Sequence, residues 1–188
     1  MNKQDLRRYV RMMKDTCTAS QLAEMSAAAM RQLFAHPRVK DARTILAYYS
    51  LDDEVDTHAL IDTLVAQGKT LLLPAVVSET ELELRRYAGV ADLRLGLFNI
   101  MEPVGEVFTD YDAIDTVVVP GVAFDSRNHR LGRGRGYYDR LLPRLGRAYR
   151  LAVCFPFQML PGVPADDHDC SVDEVITARI ARDGSVLP

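Results

Sequence analysis

Residues 119–140 have the sequence VPGVAFDSRNHRLGRGRGYYDR, and the interpretation of the whole chain starts from this stretch. It follows an apolar run at 117–119, typical of a buried strand, and ends where a helical pattern begins. Its centre alternates arginines with glycines: Arg130, Gly132, Arg133, Gly134, Arg135 and Gly136. Glycines allow positive φ and close backbone approach, and successive N–H groups in such turns attract anions. Because arginines and a following helix N-terminus also favour phosphate, the stretch predicts a polyphosphate site at the end of a strand.

Known phosphate-binding loops differ from this pattern. A Walker A loop requires Lys followed by Ser or Thr after its glycines, and neither pair follows these glycines. The dinucleotide fingerprint GxGxxG fails because its last position is occupied by Tyr137. On composition alone, a solvated basic hairpin with turn glycines stays open as the alternative to a phosphate site.

The segments VPGVAFD and RLGRGRGYYDR resemble the signature of the 5-formyltetrahydrofolate cyclo-ligase family, in which PG, FD, RLG and GxGYYD follow in this order. The resemblance covers essentially the whole chain. It implies a ligase of one-carbon (folate) metabolism that uses ATP and Mg²⁺ to close 5-formyltetrahydrofolate to 5,10-methenyltetrahydrofolate, releasing ADP and phosphate. The implied route transfers the γ-phosphoryl group to the formyl oxygen, and N10 of the same folate attacks the resulting iminophosphate. Both nucleophiles belong to the substrate, so the protein needs mainly to position them and to stabilise charge.

The resemblance also implies a role for individual residues. It assigns ATP binding to Lys3, Arg7, Arg130, Leu131, Gly132, Arg133, Gly134, Arg135, Gly136, Tyr137 and Tyr138. It assigns folate binding to Tyr49, Glu54, Arg133, Gly134, Arg135, Gly136 and Tyr137, and catalysis to Arg133, Arg135 and Tyr137. It assigns the metal to Asp139 and Asp169. The family commonly has an aliphatic residue where this chain has Tyr49, and Lys where it has Arg135.

Several of these residues also have a plain structural interpretation. Lys3 and Arg7 are four residues apart on a helical stripe, and such a pair usually forms a solvated basic face. Acids near a helix start, such as Glu54 and Asp139, usually act as caps or dipole partners. His129 and His168 are interpreted as polar loop residues, since Mg²⁺ prefers oxygen ligands.

Composition limits the class of protein. The 188 residues carry a net charge of −3, but residues 125–150 hold eight arginines and two aspartates, a local +6, which leaves −9 for the rest. One positive site on an acidic body favours a small anionic ligand over nucleic acid. Three cysteines without a CxxC pair argue against a disulfide framework or zinc site. The chain shows no apolar leader or span, so we expect a cytoplasmic protein without membrane partners. We also expect a monomer that has no nucleic-acid partner. The resemblance implies that its substrate is a folate with or without a polyglutamate tail.

Two non-catalytic classes remain as alternatives. A storage or regulatory protein could hold folate or nucleotide without turnover, although the presence of both Asp139 and Asp169 favours the enzyme. An RNA-binding protein could use the arginines and tyrosines, but the single short basic segment and negative net charge argue against it.

The pattern of elements predicts one three-layer α/β domain over residues 1–188. Predicted helices cover Lys3–Asp15, with Leu6, Tyr9, Val10 and Met13 on the apolar stripe, then Thr18 to about Leu33, 58–67 and 139–145. Thr18 and Gln21 have the spacing of a capping box at the start of the second helix, and His36-Pro37 is expected to end it, with His36 as a surface or loop residue. Predicted strands cover 44–49, 70–74, 114–119 and 150–154, with an edge strand at 81–87 and an irregular loop at 93–107. Strands that alternate with helices indicate a mainly parallel sheet flanked by helices. The family resemblance implies a Rossmann-like variant of this arrangement.

Overall fold

The computed structural model describes residues 1–96, 100–181 and 185–186. The helices are α1 (Lys3–Asp15), α2 (Ala19–Ala35), α3 (Pro37–Lys40), α4 (His58–Ala66) and α5 (Tyr137–Leu141). The strands are β1 (Thr44–Leu46), β2 (Thr70–Val76), β3 (Leu82–Tyr87), β4 (Leu93–Leu95), β5 (Met101–Pro103), β6 (Thr116–Val119), β7 (Ala123–Asp125), β8 (Arg130–Leu131), β9 (Tyr149–Cys154), β10 (Met159–Leu160) and β11 (Glu174–Thr177).

A six-stranded sheet forms the middle layer, in the order β11-β9-β6-β1-β2-β3. Its neighbours pair in parallel except at β3, which runs antiparallel to β2 at the edge. Every residue of β1 and β6 is buried, as expected for central strands covered on both faces. The predicted mainly parallel sheet, with residues 81–87 at its edge, is therefore confirmed.

Helices cover the two faces of this sheet and complete the three layers. On one face, α2 and α4 contribute Ala29, Leu33, Leu60 and Leu64 to a core that includes Ile45 and Leu71. On the other face, α5 and the turn after it place Leu141, Leu142 and Leu145 against Leu46, Val117 and Val119. Burial of such aliphatic side chains contributes roughly 1.5–3 kcal/mol each, so these two cores account for most of the stabilisation.

Side-chain contacts fix both ends of α2 and the buried face of α1. Thr18 and Gln21 form the predicted capping box at the start of α2, and His36 ends that helix before Pro37. His36 is more than a loop residue, because its Nδ1 accepts from the Arg38 N–H and its Nε2 lies 3.2 Å from Glu174. In α1, Leu6 and Val10 are buried against β7 and β8. The prediction for Tyr9 is wrong, since its side chain is exposed: α1 crosses a small hairpin that covers only one narrow stripe.

Other boundaries moved for local reasons. The segment 93–107, predicted to be irregular, contains the antiparallel pair β4 and β5; residues 97–99 of that prediction lie outside the described residues. The predicted helix 139–145 begins at Tyr137, and Pro143 converts its end to a 3₁₀ turn at Leu142–Arg144. The predicted strand 44–49 ends at Leu46. A small sheet, β10-β7-β8, was not predicted. In the described part of the chain, no helix combines the length and apolarity needed to cross a membrane.

Candidate active site

Two adjoining cavities lie where β6, β1 and β2 end at the carboxyl edge of the sheet. The first, of about 370 Å³, is called the apolar cavity; its walls include Tyr48, Tyr49, Pro74, Val76, Leu82 and Met101. The second, of about 380 Å³, is called the charged cavity; its walls include Lys3, Arg7, Arg140, His168 and Asp169. Five residues line both: Arg130, Gly132, Arg135, Gly136 and Asp139. The glycine-arginine loop, residues 130–136, therefore separates one cavity from the other.

The conformation of this loop depends on two of its glycines. Gly134 has φ +106° and Gly136 has φ +68°, which side chains with a Cβ rarely adopt. Gly136 is left-handed immediately before α5, so it turns the chain into that helix. Because α5 has only five residues, the anion attraction expected from a helix N-terminus rests mainly on the loop itself.

Arg130 forms the buried centre of the partition. Its side chain is 3% exposed, and its Nη2 donates to Asp139 Oδ1 at 2.5 Å. Burial raises the pKa of the neighbouring Tyr138 phenol above its ordinary value. Two buried polar atoms, Arg130 Nε and Tyr138 Oη, have no hydrogen-bond partner among the described residues. Unpaired buried donors are costly, so both atoms are suited to an acceptor supplied by a ligand.

Arg133 lies on the apolar side of the loop, where it is held by two carboxylates. Its Nη2 donates to Asp53 at 2.5 Å and to Glu54 Oε1 at 2.9 Å, and its Nε donates to the same Glu54 oxygen at 3.2 Å. The other Glu54 oxygen accepts from the Leu51 N–H at 3.0 Å. Burial lowers the pKa of Arg133, but the Asp53 and Glu54 carboxylates outweigh that effect and hold it above its ordinary value.

Contacts from both sides fix the remaining parts of the loop. From α1, Arg7 Nε donates to the Gly132 carbonyl at 2.9 Å. From the opposite side, Tyr137 Oη donates to the Ser78 carbonyl at 2.9 Å, and Arg140 Nε donates to the Thr80 carbonyl at 2.6 Å. The loop is thus tied directly to the N-terminal helix, and α5, which follows it, is tied to the turn after β2; Arg140 Nη2 also donates to the Arg135 carbonyl of the loop at 2.7 Å.

Asp169 lines the charged cavity, and Asp166 lies next to it. Lys3 Nζ pairs with Asp169 and, at 2.7 Å, with Asp166. Burial raises the pKa of Asp169, but the Asp166 N–H and the Lys3 ammonium outweigh it and keep that pKa below its ordinary value. Asp166, His168 and Asp169 could offer metal ligand atoms within 4.8 Å of one another, so His168 is closer to a ligand set than predicted. Asp139 is outside this group, but its Oδ1 accepts from the Cys170 N–H at 3.2 Å.

All residues that the sequence analysis assigned to a site line one of the two cavities. The sequence analysis missed Tyr48 and four charged contributors: Asp53, Glu102, Asp166 and Arg140. Asp53 adjoins Glu54 and Asp166 precedes Asp169 by three residues, so their neighbours in sequence gave a signal. No role was assigned to Glu102, or to Arg140 at the end of the stretch 119–140.

Comparison with known proteins gives a consistent family. The model of the 5-formyltetrahydrofolate cyclo-ligase family matches residues 1–178. The 5-formyltetrahydrofolate cyclo-ligase of Mus musculus is 29% identical over 187 residues, which cover 93% of this chain and 92% of the relative. The enzyme of the same name from Mycolicibacterium smegmatis is 31% identical over 152 residues, covering 73% of this chain and 74% of the relative.

Solved structures agree with the fold. The 5,10-methenyltetrahydrofolate synthetase of Aquifex aeolicus superposes with a TM-score of 0.82 at 34% identity, covering 100% of this chain and 97% of that one. The 5,10-methenyltetrahydrofolate synthetase of Mycoplasma pneumoniae gives a TM-score of 0.77 at 24% identity, covering 94% and 99% of the two chains, and supports the fold alone.

Proposed function

The chain belongs to the 5-formyltetrahydrofolate cyclo-ligase family, and we propose that it closes 5-formyltetrahydrofolate to 5,10-methenyltetrahydrofolate while converting ATP to ADP and phosphate. The observation that carries this proposal is the glycine-arginine loop, which lines the apolar and the charged cavity at once. A reaction that joins a phosphoryl group to a folate needs both substrates to meet at one partition. Arg130 and Arg135 face both cavities, so they lie where that transfer would occur.

The apolar cavity suits the folate. Tyr48 and Tyr49 offer aromatic surface for a flat ring system, and Glu54 offers carboxylate oxygens for the N–H groups of a pterin. Gly134 and Gly136 shape the loop beside this surface. Folate and Arg133 would compete for the same Glu54 oxygen, since Arg133 Nη2 donates to it at 2.9 Å.

The charged cavity suits the ATP phosphates and Mg²⁺. Lys3, Arg7 and Arg140 line it together with loop residues Leu131, Gly132 and Gly134. Asp139 and Asp169 also line it, and carboxylate oxygens are the donors that Mg²⁺ prefers, so the residues present fit the ion. Bound there, Mg²⁺ would neutralise charge on the phosphate oxygens.

The chemistry then follows from groups at the partition. The formyl oxygen of the substrate attacks the γ-phosphorus, the bond to ADP breaks, and an iminophosphate forms. N10 attacks the formyl carbon and loses its proton to water or to the phosphate oxygens, and the carbon–oxygen bond then breaks to release phosphate and leave the methenyl cation. Arg133 and Arg135 would stabilise the phosphoryl charge, and Tyr137 would position the formyl group; the unpaired Arg130 Nε and Tyr138 Oη are further donors at this place.

The decisive experiment mixes the protein with Mg-ATP and 5-formyltetrahydrofolate and follows the absorbance of the methenyl product together with ADP. We expect both products in equal amounts, and neither product when ATP or folate is omitted. Folded protein that binds both ligands and forms neither product would refute the enzyme and support a binding protein. We expect the active form to be a cytoplasmic monomer that accepts folate with or without a polyglutamate tail and binds no nucleic acid. Gel filtration would check that the protein is a monomer, and a salt titration with a random oligonucleotide would check that it binds no nucleic acid.

A further inference from the structure

Glu102 is a carboxylate in the wall of the apolar cavity to which neither the proposed mechanism nor the sequence pattern gives a role. It lies on β5, in the hairpin that β4 and β5 form beside the main sheet. Its Oε1 accepts from the Val76 N–H at 3.1 Å, which ties the side chain to the carboxyl end of β2. Glu102 is half-buried, and a ligand that fills the cavity would displace the water that solvates its carboxylate, so the charge must then be compensated by the protein or by that ligand.

The surroundings of Glu102 leave that compensation incomplete. Among the residues that the structure describes, no Lys, Arg or His lies within ion-pair distance of it. The carboxylate packs over Gly96, where a Cβ would come within 2.0 Å of Oε2. Gly96 therefore leaves the space that the Glu102 carboxylate fills, and the Val76 N–H fixes one of its oxygens.

Strand order places Glu102 relative to the other groups of the cavity. The strands β6, β1 and β2 are neighbours in the sheet and run in parallel, so their carboxyl ends lie side by side. The glycine-arginine loop follows β6, Glu54 follows β1, and Glu102 is bonded to the end of β2. The cavity thus extends from a cationic partition across two successive carboxylates.

We infer that Glu102 determines the orientation of the folate by accepting a hydrogen bond from the 2-amino group of its pyrimidine ring. This inference rests on the proposed function. The reacting formyl group must lie at the loop, so either the pterin ring or the p-aminobenzoyl-glutamate tail extends towards β2. Two carboxylates repel the anionic tail, whereas the 2-amino and ring N–H groups of the pterin are donors that suit them. Glu54 is already bonded to Arg133 and the Leu51 N–H, so Glu102 is the less occupied acceptor of the two.

The test is a double-mutant cycle in which one change is made in the protein and the other in the substrate. Glu102→Gln and Glu102→Ala are compared with wild type on 5-formyltetrahydrofolate and on its 2-desamino-2-methyl analogue, which lacks the amino donor. Loss of a charge-assisted hydrogen bond predicts a fall in kcat/KM of about 10- to 100-fold for the natural substrate. On the analogue, the variants and wild type should differ by less than about 3-fold, because the partner group is already absent. Glu106→Gln is the matched control: this exposed residue pairs with Arg86 outside both cavities, and its kinetics should not change.

Two further measurements separate this role from a structural one. Gly96→Ala must displace the Glu102 carboxylate, so it should weaken folate binding in the same direction without touching the ligand itself. Calorimetric binding without ATP should show the folate loss, while binding of a non-hydrolysable ATP analogue stays unchanged. An equal fold loss for Glu102→Gln on both substrates would overturn the inference, as would a loss of nucleotide binding instead of folate binding. Absence of turnover in wild type would refute the proposed function, a distinct result, and the binding measurements would still test Glu102.

Discussion

The variant Asp139→Asn separates two roles that the structure gives to one side chain. Asp139 neutralises the buried Arg130 across 2.5 Å, and it lines the charged cavity where Mg²⁺ is proposed to bind. Asparagine keeps an oxygen that can accept from Arg130 Nη2 and the Cys170 N–H, but it removes the charge. The two roles predict different changes in stability and in turnover.

The stability change follows from the burial of the pair. The Arg130 and Asp139 side chains are 3% and 16% exposed, so solvent screens them weakly. Removing one partner of a buried pair costs about 3–5 kcal/mol when nothing replaces it. Because asparagine retains both acceptor contacts, we expect roughly 1–3 kcal/mol, which lowers Tm by about 2–12 °C for a domain of this size. Thermal unfolding of the ligand-free protein measures this shift.

The turnover change follows from the metal assignment. If Asp139 is a Mg²⁺ ligand, the asparagine that replaces it leaves the metal site with one negative charge fewer. The rate of methenyl formation should then fall by at least about 100-fold at limiting Mg²⁺ and recover in part as the Mg²⁺ concentration is raised. Folate binding without ATP should stay close to the wild-type value. Asp169→Asn should show the same dependence on Mg²⁺ with a smaller Tm shift, because its partner Lys3 is 25% exposed.

Controls decide between the two roles. Asp112→Asn changes an exposed aspartate that lines neither cavity, and it should alter neither Tm nor turnover. If Asp139→Asn lowers Tm as expected but keeps near-normal turnover at limiting Mg²⁺, then Asp139 serves only as the counter-charge of Arg130. If Tm is unchanged, the charge of Asp139 does not contribute the expected stability through its pair with Arg130.

Three further predictions concern other parts of the site. Glu54→Gln should weaken folate binding about 10-fold or more and leave ATP binding nearly unchanged in calorimetry; equal losses for both ligands would indicate a structural role. Asp125→Asn should destabilise the fold by about 2–3 kcal/mol at neutral pH, because the carboxylate is fully buried and accepts from the Val163 and His129 N–H groups. Burial raises the pKa of Asp125, but these donors outweigh it and hold that pKa below its ordinary value. The difference in unfolding free energy between wild type and Asp125→Asn should therefore shrink as pH falls below about 4, and a constant difference in denaturant melts down to pH 2 would contradict this. Lys3→Met should raise KM for ATP with less than about 1 kcal/mol lost in stability, since the pair is partly exposed; an unchanged KM would return Lys3 to a surface role.

The sequence predicted the features that local pattern controls. Apolar runs such as residues 117–119 indicate strands buried on both faces, and that is sufficient to favour a parallel sheet. The capping box of Thr18 and Gln21 needs only a spacing of three residues, and it forms as predicted. Of the three alternating glycines, Gly134 and Gly136 have positive φ, which glycine permits, whereas Gly132 does not.

Features that depend on partners distant in sequence were not accessible in this way. Lys3 and Asp169 are separated by 166 residues, and Arg133 and Glu54 by 79, so no local pattern indicates either pair. Tyr9 has the spacing of a buried residue, yet its exposure depends on how little surface the β7–β8 hairpin offers to α1. The position of Glu102 depends on a hairpin that folds back on β2, and the short segment around it, with one charged residue in 99–105, does not reveal that contact.

The ion pairs around the two cavities bear on how the protein would bind ATP. Lys3, Arg130 and Arg133 are all assigned to phosphate or folate, and all three are already paired with carboxylates. At Lys3, phosphate must displace the existing carboxylate pair, so the gain in affinity there is a difference between two charged contacts. Arg130 can offer its unpaired Nε to phosphate and keep Asp139 on Nη2, but its charge is then shared between the phosphate and Asp139. The carboxylates of Asp169 and Asp139 are therefore less fully neutralised inside the charged cavity once phosphate is bound. Those two are the carboxylates to which Mg²⁺ is assigned, so the cation would compensate the very groups that nucleotide binding uncovers, and nucleotide and metal should each strengthen the binding of the other.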